Sequence, residues 1–110
     1  MKTAATFVLA FAALSAAPAE QTFTGTISDE MCATAGHSSM RMGPTDADCT
    51  RACVTAHGAS YVLVAGKDVY VLSDQKRPES LAGESVAVVG TLDPKTRMIQ
   101  VRSITRASGR

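Results

Sequence analysis

Tryptophan is absent from the 110 residues, and aromatic surface comes from only three phenylalanines and two tyrosines. Proteins that bind oligosaccharides or single-stranded nucleic acids usually stack their ligands on aromatic rings, and that platform is almost missing here. Charge of one sign is missing as well. Eleven Lys/Arg stand against ten Asp/Glu, for a formal net charge of +1. A nucleic-acid binder normally carries a basic face, so nucleic acid is excluded as an expected partner. There is no Gly-rich phosphate loop, no HExxH run and no pair of catalytic carboxylates, and no enzyme is expected. No apolar run reaches the roughly 20 residues of a spanning helix, which excludes an integral membrane anchor.

What is present begins with an address. Lys2 forms a minimal positive region, Ala4 to Leu14 are mainly apolar, and Ala17-Pro18-Ala19 places small residues at the positions signal peptidase inspects. Residues 1–19 are therefore expected to be a signal peptide, cleaved between Ala19 and Glu20. Residues 20–110 are expected to form a single small domain, a monomer in the periplasm or secreted. Lys95, Arg97, Arg102, Arg106 and Arg110 crowd its C-terminal end. They read as a solvated strand edge, since such charges discourage edge-to-edge pairing.

Thr22–Ser28 alternates, with Phe23 and Ile27 on one face, and reads as a first strand. Residues 29–45 are rich in Gly, Ser, Met and Pro without a period and read as a loop. Asp46 or Asp48 is placed to cap a short helix running to about His57, where Gly58 stops it. Ser60–Ala65 and Asp68–Ser73 form a hairpin through Gly66-Lys67. Pro78–Gly83 reads as a one-turn helix. Val86–Leu92 and Met98–Ile104 form a second hairpin through Asp93-Pro94-Lys95-Thr96. The expected fold is mainly β (α+β): a small five-stranded barrel resembling an OB-fold. It has one short helix after the first strand and a one-turn helix between strands 3 and 4. A core this thin would gain from a covalent or metal staple.

Residues 29–57 hold the chemistry. Cys32, Cys49 and Cys53 are the three cysteines. Cys49 and Cys53 are four apart and share one helix face. Their Cβ separation of about 5–6 Å exceeds the roughly 3.8 Å of a relaxed disulfide. Cys32 can pair with either of them, leaving one thiol free, or all three can bind metal. His37 follows Cys32 by five residues, and His57 extends the Cys49, Cys53 face by four. Met31, Met40 and Met42 crowd the same stretch, as ligands or as packing filler. Thiolate, imidazole and thioether are soft or borderline donors suited to Cu(I), or to Zn(II) without the thioether. The expected metal set is Cys32, His37, Cys49 and Cys53, with Met40 and His57 as further candidates. His57 also complements the helix C-terminus. Asp29 and Glu30 read as solvated, although Asp29 can orient His37.

Two resemblances follow from these residues. The run Cys49-x3-Cys53-x3-His57 is similar to the ligand run of dinuclear copper centres in oxidase subunits. It departs from that run at Ser60, where those proteins have Met, and in lying on a helix instead of a loop. Gly25–Cys32, His37, Asp48–Val54, Tyr61–Val64, Val69–Leu72 and Gly83–Leu92 together resemble a group of small uncharacterised exported bacterial proteins. That resemblance covers nearly all of residues 20–110 and implies one exported domain with a Cys/His feature. The functional expectation is a non-catalytic domain that binds one Cu(I) or Zn(II) ion, with the ion or another envelope protein as partner. The alternative is an envelope binding or structural protein stapled by one disulfide through Cys32, without metal.

Overall fold

Threonines alternating with Phe23, Gly25 and Ile27 hold Gln21–Asp29 extended as strand β1, with Ile27 fully buried. The computed structural model describes residues 3–6, 19–36 and 41–107. Most of the expected signal segment, His37, Met40 and Arg110 lie outside the described residues. After β1 come helices α1 (Glu30–Ala35) and α2 (Asp46–His57), then strands β2 (Tyr61–Ala65) and β3 (Asp68–Leu72). A 3-10 turn at Arg77–Leu81 leads to β4 (Ser85–Asp93) and β5 (Met98–Arg106). Among the described residues no helix is long and apolar enough to cross a membrane.

The chain is mainly β, with five strands in one sheet in the order β1-β2-β3-β5-β4. β1 closes the ring by pairing with both ends of the order. Its first half runs against β4, as in Phe23↔Val88, and its second half against β2, as in Ile27↔Leu63. Gly25 sits at that change of partner. A Cβ there would lie 2.3 Å from the Val64 carbonyl oxygen, so only glycine lets the strands approach closely enough to curl. β4 and β5 form a long antiparallel hairpin with a bulge at Val89/Gly90. The remaining seam is short and parallel, Val71↔Met98 and Leu72↔Ile99 between β3 and β5. Ser73 extends it, donating its N–H to Ile99 O (3.0 Å) and accepting Val101 N–H on its hydroxyl (2.8 Å).

Ile27, Leu63, Leu72, Val86, Val88 and Ile99 fill the ring at 1% exposure or less. Burying side chains of this size stabilises by about 1.5–3 kcal/mol each. Phe23 tilts against Tyr70 at 5.5 Å between ring centroids. The arginines of the C-terminal hairpin pair with carboxylates, Arg97 with Asp68, Arg102 with Glu20 and Arg106 with Glu84.

Both hairpins and the 3-10 turn fall where the residue pattern places them. The stretch after β1 differs, because it holds two helices instead of one. Thr45 caps α2, not Asp46 or Asp48, which occupy its first turn. Thr45 Oγ1 accepts Asp48 N–H at 3.1 Å while donating to the Asp48 carboxylate at 2.8 Å. The first bond caps one backbone N–H of the helix start, and the second orients the hydroxyl that does so.

Candidate metal centre

Asp29 makes α1. Its Oδ2 accepts the backbone N–H groups of Met31 (3.1 Å) and Cys32 (3.0 Å), two donors that a helix start otherwise leaves unpaired. Gly36 ends the helix with its N–H on Cys32 O at 2.7 Å. The carboxylate is fully buried, not solvated, and its Oδ1 has no hydrogen-bond partner among the described residues. Glu30 is exposed and accepts Ser60 N–H at 3.1 Å, tying α1 to the start of β2.

α2 is held from below by the segment between β3 and β4. Gly83, at φ +77°, would place a Cβ 3.2 Å from Ala47, and Arg51 donates to Glu79 O at 2.9 Å. These contacts turn Cys49 and Cys53 inward, each at 0% exposure. Both cysteines face Cys32, which is 3% exposed. Ala59, Met31 and Val54 complete a second small core beside that of the ring.

The three sulphurs converge. Cys32 Sγ lies 3.5 Å from Cys49 Sγ and 3.8 Å from Cys53 Sγ, and all three are within 4.8 Å of one another. Four sulphurs at about 2.3 Å around a tetrahedral ion stand about 3.8 Å apart. The two separations from Cys32 are therefore close to the edges of a metal–sulphur tetrahedron, and the third pair lies within 4.8 Å. No disulfide links these cysteines. A cleft of about 250 Å³, lined by Thr26, Ser28, Ala33 and Asp46 among others, reaches Cys32.

Burial pushes the Cys32 thiol far above the ordinary thiol range. A hydrogen bond to Asp29, the two neighbouring thiols and the charge of Asp29 push it further. Burial also raises Cys53, against a lowering hydrogen bond from Cys32 and with a further rise from the charge of Asp29. Without a cation beside them, the Cys32 and Cys53 thiols hold their protons at neutral pH.

The structure thus brings together three of the expected ligands, Cys32, Cys49 and Cys53. His57 is exposed at the end of α2 and is not part of the cluster. His37 and Met40 lie outside the described residues. Met42, which sequence reasoning noted but left out of the ligand set, is brought to the cluster. Its Sδ lies 3.6 Å from Cys53 Sγ, and its N–H donates to Cys49 Sγ at 3.3 Å. Its only sequence signal was membership of a methionine-rich stretch. No protein family, characterised protein or solved structure matches the chain.

Proposed function

We propose that this chain binds one soft metal ion, Cu(I) or Zn(II), through Cys32, Cys49 and Cys53, and does so without catalysis. The observation that carries the reading is the convergence of three buried sulphurs at 3.5 and 3.8 Å from two separately anchored helices. Softness of the donors selects the metal class. A binding ion supplies the positive charge that burial denies the thiolates, and it releases their protons to solvent. The barrel serves as an OB-like scaffold, a reading supported by the closed strand order with β3 and β5 parallel. Export is supported by the pattern of residues 1–19, and it would place the protein where metals are stored or handed on.

Native mass spectrometry on protein purified without added metal, chelator or reductant tests the binding. The expected mass exceeds that of the apo chain by one copper or zinc, with three thiols that resist alkylation until the metal is stripped. A chain lighter than the reduced form by two hydrogens, with no metal, would instead establish a disulfide and end the metal reading.

A further inference from the structure

We infer that Met42 supplies the fourth donor of the cluster, a thioether, and that the resulting three-cysteine, one-methionine set selects Cu(I) over Zn(II). The inference rests on the cysteine site proposed above and goes beyond it by naming the last ligand and the metal.

Met42 engages two of the three cysteines at once, through Sδ to Cys53 and through its backbone N–H to Cys49. The Sδ to Sγ distance of 3.6 Å falls between the two Cys32 contacts of 3.5 and 3.8 Å, so the thioether meets the trio at Cys53 at the same contact distance. Residues 41–46 are tied together around Met42. Arg41 donates to Pro44 O at 3.2 Å and to the Asp46 carboxylate at 3.4 Å, fastening the loop to the start of α2. Among the described residues Met42 is the one exposed large hydrophobic, at 37%. The side chain stays at the surface while its sulphur meets a thiol.

Among the described residues the competing donors are placed otherwise. His57 is exposed at the far end of α2, outside the cluster. Asp29 already spends one oxygen on two backbone N–H groups and is not among the groups close enough to share an ion. Zinc takes thiolate, imidazole and carboxylate, whereas a neutral thioether suits the softer Cu(I). Binding involves no change of oxidation state. Copper enters as Cu(I), metal–sulphur bonds form, and the displaced thiol protons go to solvent. Met42 is the one residue of the four that reaches solvent appreciably, so exchange of that one weak ligand offers a route for passing an ion to a partner.

The test titrates the reduced full chain under argon with Cu(I) against the competing chelator bicinchoninate, and with Zn(II) against a chromophoric chelator. Wild type is compared with Met42→Leu, which keeps the size of an exposed side chain and whose folding is checked by circular dichroism. The expected result is a loss of Cu(I) affinity of about tenfold or more with Zn(II) affinity unchanged. In the wild-type chain labelled with methyl-13C methionine, the signal missing from Met42→Leu should move on adding Cu(I) and stay put on adding Zn(II). Equal Cu(I) affinity in the two chains would overturn Met42 as a ligand while leaving the cysteine site standing. An equal fall for both metals would overturn it too, by showing a packing role. A wild-type chain that holds neither metal would remove the site itself.

Discussion

Asp29 Oδ2 accepts the backbone N–H of Cys32 at 3.0 Å, so the residue that starts α1 also sets the position of the first cysteine. Asp29→Ala removes the cap and should destabilise the metal-free, reduced chain by about 1–2 kcal/mol, read from urea unfolding. Cys32 should become more open to alkylation in the same variant, because a frayed α1 no longer buries it. Unchanged unfolding and unchanged alkylation would show that the cap does neither job.

The thiols make stability depend on alkaline pH. Burial raises Cys32 and Cys53 in the folded chain, so the unfolded chain gives up these protons first. Stability is whole below the ordinary thiol value of 9.0 and falls as pH rises above it. The fall is about 1.4 kcal/mol per pH unit for each raised thiol. Denaturant unfolding of the metal-free chain with reductant, from pH 7 to 10, should show this decline. Cys32→Ser should make it shallower, and a flat profile in the wild type would contradict buried, protonated Cys32 and Cys53 thiols.

Thr50 is fully buried on α2, and its Oγ1 has no hydrogen-bond partner among the described residues. Exchanging that hydroxyl for a methyl keeps the shape and removes a desolvated polar atom. Thr50→Val is expected to stabilise by about 1 kcal/mol, seen as a higher urea midpoint at constant slope. A comparable loss would mean that the hydroxyl is satisfied in solution.

Gln75 bolts the start of β2 to the end of β3. Its Oε1 accepts Tyr61 N–H at 2.7 Å, and its Nε2 donates to Tyr61 O at 3.0 Å and Leu72 O at 2.8 Å. Gln75→Ala leaves these backbone groups to find water or go unpaired, and should cost about 1–3 kcal/mol in thermal or denaturant unfolding. An effect below a few tenths would show that solvent replaces the side chain freely.

The strands were legible because their signals are local. Phe23 and Ile27 recur on one face of β1, Gly66-Lys67 turns the first hairpin, and Pro78 opens the 3-10 turn. α2 was legible from Asp46 and Asp48 at its start and the stop at Gly58, whose φ is +65°. α1 was not, since six residues make less than two turns and show no period. Its only marks were Asp29 before it and Gly36 after it. The pairing of Met42 with Cys53 was not legible either. It joins a loop residue to a helix residue eleven positions on, and no repeat or turn rule ties such positions together.

All three cysteines belong to the single connection between β1 and β2. Cys32 stands 17 residues from Cys49 and 21 from Cys53. The ring, by contrast, closes only when β1 meets β4, as in Gln21↔Gly90, and when β5 fills the gap beside β3. Bringing nearer segments together costs less loop entropy, and a chain is synthesised from its N-terminus. The sulphur cluster can thus come together at a lower entropic cost than the ring, before the last strands have paired.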